Sequence, residues 1–245
     1  AVLQPAISAG SGADNDGKPY DVDSVSLTGA SAASATFNSK DVLTASTVTF
    51  AGVGITGSGS SNYTLTDHAT ASHSITAKAL SATVSAANKV YDGATTATGT
   101  LSLSGLIGSE TLNTSVASSF DTKDVGTGKT VTVDTVTLSD GANGGLASNY
   151  SLASGQTTTA DITAKPITVS GITASDKAFD NTTSAIIDVS GIDKAGIGIV
   201  SGDSVDIAAT GTFDNKNVAT NKTVTLTSSY TGTDATNYTF SDQAS

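Results

Sequence analysis

Alternating apolar and polar residues run along most of the chain and are clearest in its middle third. Residues 80–84, 96–103 and 111–120 follow the two-residue period of half-buried strands. Residues 130–138 also alternate, with a change of phase that indicates a bulge near Asp134. Residues 150–152 and 157–162 complete about seven short strands, separated by Gly- and Asn-containing turns. No stretch shows the 3.6-residue period of a helix.

Short markers recur three times in the same order. Lys-x-aromatic-Asp occurs at 18–21, 89–92 and 177–180. Phe-x-x-Lys begins at Phe37, Phe120 and Phe213. Asn-Tyr occurs at 62–63, 149–150 and 237–238, which gives spacings of 87 and 88 residues. Ile-Thr-Ala-Lys at 75–78 recurs at 162–165. The chain therefore consists of three tandem repeats of about 87 residues.

The markers predict the domain boundaries. Repeat 1 covers residues 1–78, repeat 2 covers 79–165 and repeat 3 covers 166–245. Repeat 1 is shortened: 17 residues separate Tyr20 from Phe37, against 29 and 34 between the equivalent markers of repeats 2 and 3. Residues 1–4 resemble the closing strand of a preceding repeat, whereas repeat 3 lacks its closing strand. These phases predict either an excerpt of a longer array or a strand supplied by another molecule.

The strand pattern predicts an all-β fold of tandem immunoglobulin-like antiparallel β-sandwiches. The alternative is a β-grasp-like module, which would require a helix crossing its sheet. Each core must be small at this repeat length. We expect the recurring aromatic residues to fill it: Tyr20, Tyr91, Phe179, Phe37, Phe120, Phe213, Tyr63, Tyr150 and Tyr238.

Composition excludes several classes of protein. The net charge is -11, and all eleven basic residues are Lys, so phosphate backbones would be repelled and nucleic acid is not an expected partner. There is no Cys, hence no disulfide, thiolate metal site or Cys nucleophile. No apolar run of about 18 residues occurs, so membrane insertion by a helix is not expected. His68 and His73 have no counterparts in the other repeats, and we expect no enzyme activity.

One acidic loop in repeat 1 is a candidate metal site. Asp14, Asp16, Asp21 and Asp23 lie within ten residues, and Ca²⁺ takes six to eight oxygen ligands. The spacing does not match an EF-hand, and Lys18 lies inside the loop. The alternative is a solvated, Asp-rich turn. Calcium is the only cofactor that the sequence leaves open.

The markers resemble the YDG-type repeat of large bacterial surface adhesins. Repeat 2 matches best, with Lys-Val-Tyr-Asp-Gly at 89–93, Phe-Asp-Thr-Lys-Asp-Val-Gly at 120–126, Asn-Tyr at 149–150 and Ile-Thr-Ala-Lys at 162–165. Repeat 3 departs at Phe179 and Asn181, and repeat 1 at Val22. The resemblance covers the whole chain and implies secreted, filamentous-haemagglutinin-like exoproteins in which such repeats form stalks. It supplies no catalytic residues.

We therefore expect an extracellular structural or adhesive segment, a rod-like stalk or filament of a bacterial surface protein, with a role in biofilm or cell adhesion. Its partners would be neighbouring repeats or copies of itself, head to tail, and a host or biofilm glycan or protein. One alternative is a fibre subunit linked by strand donation, because residues 2–7 align with residues 163–168. The other alternative is a carbohydrate- or protein-binding module.

Overall fold

A computed structural model describes Pro19 and residues 23–29, 34–65 and 71–244. These residues are all-β: strand makes up 47% and helix 4% of the structure. The only helical elements among the described residues are three 3₁₀ turns, Ser60–Asn62, Ala147–Asn149 and Ala235–Asn237. The abundance of Thr, Val and Ser, with few strong helix formers, accounts for this class.

The strands of repeat 2 overlap all of the predicted segments. Repeat 1 contains β1 to β5, namely Ser26–Thr28, Ser34–Phe37, Thr47–Ala51, Gly54–Thr56 and Ala71–Ser72. Repeat 2 contains β6 to β13, namely Lys78–Ala86, Lys89–Val90, Thr96–Ala97, Gly99–Ser104, Leu112–Phe120, Gly126–Asp140, Tyr150–Leu152 and Thr157–Thr163. Repeat 3 contains β14 to β19, namely Lys165–Thr168, Thr173–Ser175, Ser184–Asp188, Asp206–Phe213, Val224–Thr231 and Tyr238–Ser241.

The chain divides into two compact units that do not coincide with the repeats. The first unit holds the described residues up to Leu80, with Gly105–Asn113 and Ser139–Leu152. The second unit holds Ser81–Ser104, Thr114–Leu138 and the described residues from Ala153 onward. Repeat 2 thus contributes one part to a unit with repeat 1 and the rest to a unit with repeat 3.

In the first unit, β1 pairs with β4, and β3 lies between β2 and β5, all antiparallel. The start of β6 pairs in parallel with β12, with Lys78 opposite Tyr150 and Leu80 opposite Leu152. A first strand of one repeat thereby lies beside a late strand of the same repeat.

The second unit contains most of the antiparallel pairing. One sheet has the order β7-β13-β11-β10-β8, and another has the order β15-β16-β17-β18. β14 pairs in parallel with β19, as β6 does with β12 in repeat 2. The predicted strands left residues 121–129 between them, but β11 begins at Gly126, because β13 pairs with it from Gly126 opposite Ile162.

A single apolar cluster joins repeats 2 and 3 within the second unit. Tyr91, Val131 and Ile162 of repeat 2 are at most 1% exposed and pack with Ile167 and Val205 of repeat 3, which are equally inaccessible at 2% and 1%. Because one repeat of this length has little core of its own, sharing apolar surface with the next repeat stabilises both.

The aromatic prediction is confirmed in part. Tyr91, Phe120, Tyr150 and Tyr238 are buried. It is wrong for Phe37 and Phe179, which are 37% and 62% exposed. Tyr20 lies outside the described residues. Aromatic residues at equivalent positions therefore differ in burial according to what packs on them.

We expect Ile167→Thr to lower the free energy of unfolding by about 2–4 kcal/mol, because it removes apolar contact and buries a hydroxyl without a partner. Ile186→Thr is the matched control, since Ile186 is 61% exposed in β16 and both residues stay β-branched. The control should change stability by less than about 0.5 kcal/mol. Urea unfolding of the full chain measures both, and equal losses would contradict the assignment of Ile167 to the core.

Candidate functional site: an Asn clamp between repeats

The Asn-Tyr marker has the same backbone geometry in all three repeats. Each Asn ends a 3₁₀ turn, and each following Tyr is extended: Tyr63, Tyr150 and Tyr238 have φ of -126°, -130° and -128°. The Tyr N–H donates to the first carbonyl of the turn in each case. The turn therefore gives the backbone of the Asn-Tyr marker the same hydrogen bond in every repeat.

In the second unit, the Asn side chain binds the preceding repeat at two points. The Val125 N–H donates to Asn237 Oδ1 at 2.9 Å, and Asn237 Nδ2 donates to Asp124 Oδ1 at 3.1 Å. Asn237 is only 2% exposed. An amide is suited to this because it offers an acceptor and donors on one planar group. We call this pair of hydrogen bonds the Asn clamp.

The first unit contains the same clamp between repeats 1 and 2. The Val42 N–H donates to Asn149 Oδ1 at 2.8 Å, and Asn149 Nδ2 donates to Asp41 Oδ1 at 2.8 Å. The Lys-Asp-Val part of the mid-repeat marker in one repeat thus binds the Asn-Tyr marker of the next, twice.

The Tyr of each marker hydrogen-bonds an acidic residue of its own repeat. The Tyr238 hydroxyl donates to Asp203 Oδ2 at 2.6 Å, and the Tyr150 hydroxyl donates to Glu110 Oε2 at 2.5 Å. In repeat 1, the Tyr63 hydroxyl donates to Asp23 Oδ2 at 2.6 Å. Every described repeat therefore places a carboxylate beside its Asn-Tyr turn.

In the second unit, that carboxylate also binds repeat 2. Lys123 Nζ lies 2.8 Å from Asp203 Oδ1, and the Tyr91 hydroxyl donates to Asp203 Oδ2 at 2.7 Å. The Asp203 side chain is 3% exposed and Lys123 is 36% exposed. Lys123 Nζ also reaches Asp234 at 3.2 Å, and the Tyr91 and Tyr238 rings meet edge to face at 5.4 Å. A buried carboxylate with three donors is well compensated.

The pKa values record these contacts. Burial raises the pKa of Asp203, but the hydrogen bonds from Lys123, Tyr238 and Tyr91 outweigh it, and the net pKa lies below the ordinary 3.8. The hydrogen bond to Asp203, followed by that to Tyr91, raises the pKa of Lys123. Burial, followed by the Asp203 hydrogen bond, raises the pKa of Tyr238. At neutral pH the network holds Lys123 paired with two carboxylates, Asp203 and Asp234, beside two neutral phenols.

The Lys-x-aromatic-Asp marker forms a turn, and in repeat 2 this turn packs against repeat 3. Lys89 Nζ bonds Asp92 at 2.7 Å, and the residue after the Asp has a left-handed backbone: Gly93 has φ of 79°. A Cβ at Gly93 would lie 2.6 Å from Val200 Cγ1 of repeat 3. Glycine is thus required for the close approach as well as for φ. Asn181 occupies the equivalent position in repeat 3 with φ of 63°, which Asn tolerates.

Calcium binding by the acidic loop of repeat 1 stays a prediction. Asp14, Asp16 and Asp21 lie outside the described residues, and Asp23 accepts the Tyr63 hydrogen bond. Among the residues that can be described, no cluster of three or more His or acidic side chains could hold a metal ion.

Sequence reasoning found the markers but missed what they bind. Asp203 and Glu110 accept the Tyr hydrogen bonds of repeats 3 and 2, and the repeat markers do not include them. A short sequence pattern could have located these two acids. An apolar residue lies three positions before each: Val200 before Asp203 and Ile107 before Glu110. Both apolar residues donate their N–H to the Tyr hydroxyl, at 2.9 and 3.1 Å.

The profile of the YDG domain matches residues 6–71, 76–160 and 163–245. The chain belongs to the YDG-domain family. Its three matches confirm that the chain is built of repeats. Comparison with curated proteins gave no match, and comparison with solved structures gave none. No helix in the described part of this YDG chain has the length and apolar character needed to cross a membrane.

We expect Asn237→Ala to lower the free energy of unfolding by about 1–3 kcal/mol, because it leaves the Val125 N–H and Asp124 without their partner. Asn62→Ala is the matched control: Asn62 ends the equivalent 3₁₀ turn but is exposed. It should change stability by less than about 0.5 kcal/mol at micromolar protein. Equal effects in denaturant unfolding would show that the turn, and not the clamp, is what the Asn stabilises.

The Asp203–Lys123 pair predicts a pH dependence. The folded pKa of Asp203 is lowered, so its contribution is complete above about pH 4 and is lost as the pH falls through the folded pKa. The pKa of Lys123 is raised, so its contribution is complete below about pH 10 and is lost as the pH rises through that higher value.

Asp203→Asn should therefore cost about 2 kcal/mol at pH 7, reduced from the range for fully buried pairs because Lys123 is 36% exposed. The difference from the parent chain should shrink below about pH 4. Asp206→Asn removes a carboxylate that is 78% exposed and serves as control. Unfolding measured across pH gives the result, and a cost that persists unchanged in acid would contradict the ion pair.

Proposed function

We propose that this YDG chain is a structural and adhesive stalk segment of a bacterial surface protein, in which the Asn clamp locks each repeat to the next. The observation that carries the proposal is the recurrence of one clamp, with the same atoms, at both described junctions. A stalk must transmit force from repeat to repeat, and a junction of hydrogen bonds, an ion pair and shared core serves that purpose.

The finer fold that we propose is an immunoglobulin-like sandwich for each repeat. In repeat 3, Ile167 and Phe240 of the β14–β19 pair pack in one apolar cluster with Ile187, Ile207 and Leu226 of the four-stranded sheet. Two sheets that share apolar residues support a sandwich. The β-grasp alternative would require a crossing helix, and the described residues of this repeat contain only a 3₁₀ turn.

The charge supports an exposed location. A net charge of -11 keeps copies apart in solution, and the absence of Cys and Met leaves no readily oxidised sulfur. The proposed setting is a secreted, filamentous-haemagglutinin-like exoprotein at the cell surface, with biofilm or host glycans and proteins as binding partners. A glycan array probed with the full chain tests the binding of carbohydrate.

When the chain is pulled by its two ends, we expect the second unit to unfold in one distinct force peak, because repeats 2 and 3 share one core. Asn237→Ala should lower the force of that event, and Asn62→Ala should leave it unchanged. Single-molecule pulling measures both. Extension without a force peak would contradict a stalk that transmits force.

Antibody labelling only after lysis of the bacteria that make the protein would contradict the surface location.

A further inference from the structure

The two junctions of this chain share the Asn clamp but differ in what the neighbouring lysine binds. In the second unit, Lys123 Nζ reaches repeat 3, where it lies 2.8 Å from Asp203 and 3.2 Å from Asp234. In the first unit, the equivalent Lys40 bonds Asp41 of its own repeat at 2.8 Å, and its side chain is 72% exposed. Both lysines belong to the same Phe-x-x-Lys marker, so we attribute the difference to the repeat that faces them.

Lys123 has an acceptor for each proton of its ammonium group. The acceptors are the two carboxylates of repeat 3 and the Tyr91 hydroxyl, which lies 2.9 Å from Nζ. An ammonium group has three donors and no acceptor, so this site matches a lysine fully. The described residues of the first unit offer Lys40 one acceptor, Asp41. Repeat 3 therefore provides a lysine site that the described part of repeat 2 does not.

Repeat 3 holds both carboxylates by bonds that do not involve Lys123. Asp234 Oδ2 accepts the Ser204 N–H at 2.9 Å, and the Asp234 N–H donates to the Ser204 carbonyl at 3.2 Å. Asp203 Oδ2 accepts the Tyr238 hydroxyl at 2.6 Å. The Oδ1 atoms of both residues are left to face Lys123 Nζ. We call Asp203 and Asp234 the Asp pair.

The Asp pair concentrates negative charge at the junction. The two side chains are only 3% and 19% exposed. The hydrogen bond from Ser204, followed by that from Lys123, holds the pKa of Asp234 below the ordinary 3.8, although the charge of Asp203 acts in the opposite direction. Two like charges this close repel each other, and burial removes the water that would solvate them. The Asp pair therefore destabilises repeat 3 unless a cation lies between the carboxylates.

Repeat 2 has an apolar residue where repeat 3 has the second acid. Glu110 occupies the place of Asp203, but Leu146 precedes the 3₁₀ turn where Asp234 does in repeat 3. Leu146 is also extended, with ψ of 123°, whereas Asp234 has ψ of 0°. Repeat 2 thus presents neither the charge nor the backbone of Asp234 to Lys40.

We propose that Asp234 makes the junction between repeats 2 and 3 an ionic lock, in which the Asp pair requires a lysine of the neighbouring repeat at the position of Lys123. The residue before the Asn-Tyr turn then sets how selectively a repeat is joined to the one before it. A repeat with Asp there disfavours a neighbour without the lysine, whereas a repeat with Leu relies on the Asn clamp and tolerates other residues. This deepens the proposed function and rests on it for the use of the junction in a stalk.

The clamp amides allow each junction to be followed separately. The Val125 N–H and the Val42 N–H are the clamp donors of the second and first units. A hydrogen-bonded amide exchanges with solvent when its surroundings open, so its exchange rate reports that opening. Amide exchange of the full chain, resolved residue by residue by NMR, therefore reports both junctions in one sample.

Lys123→Met should speed exchange of the Val125 amide about tenfold, because it leaves the Asp pair without its cation, and should not change exchange of the Val42 amide. Lys40→Met is the matched control, since it makes the same substitution in the equivalent marker. It should change exchange at Val42 less than about twofold, because Lys40 is 72% exposed. Equal effects of the two substitutions, each at its own junction, would overturn the proposal.

Asp234→Asn removes the charge and keeps an oxygen that accepts the Ser204 N–H. In this background, Lys123→Met should speed exchange at Val125 less than about threefold, because the repulsion within the Asp pair is gone. Loss of packing by either side chain would not produce such coupling. If Lys123→Met does not fold, Lys123→Gln replaces it in the same comparison. An equal effect of the lysine substitution in both backgrounds would overturn the role of Asp234.

The outcome separates the ionic lock from the proposed function. Pulling without a force peak would contradict the stalk, while coupling between Lys123 and Asp234 would still establish the lock. A force peak without that coupling would overturn the lock and leave the Asn clamp as the link between repeats.

Discussion

The hydrogen bonds of one Asn side chain are the constraint on which the repeat array depends. The Val125 N–H of repeat 2 donates to Asn237 Oδ1 of repeat 3, and Asn237 Nδ2 donates to the neighbouring Asp124. A buried amide group without a partner costs free energy, so the two repeats are joined wherever this bond forms. Asn149 does the same in the first unit, and the shared chemistry explains why Lys-Asp-Val and Asn-Tyr recur at a fixed spacing.

The buried carboxylate of Asp203 also restricts the orientation in which repeats 2 and 3 contact each other. Asp203 belongs to repeat 3 and receives Lys123 and Tyr91 from repeat 2, so a positive and a negative surface meet in one orientation only. Charge pairs of this kind fix register and partner choice more than they add stability.

The repeats are equivalent in sequence and unequal in environment. Tyr91 is buried and Phe179 is exposed, although both occupy the third position of the same turn. Gly93 must be glycine because Val200 lies against it, whereas Asn181 has room for a side chain that accepts a hydrogen bond from Lys216. The local turn is the same in both repeats, and the difference lies in what packs on it.

The sequence alone determined the number of repeats, the all-β class and most strands of repeat 2, because alternation and β-branched residues act locally along each strand. It also located the residues of the clamp, since the Asn-Tyr and Lys-Asp-Val markers stand out by repetition. Only the tertiary structure decided that these two markers bind each other, that Asp203 lies at the centre of the network, and that repeat 2 contributes to two compact units. Those contacts join residues about 110 positions apart, and no local pattern encodes which distant group will meet a given side chain.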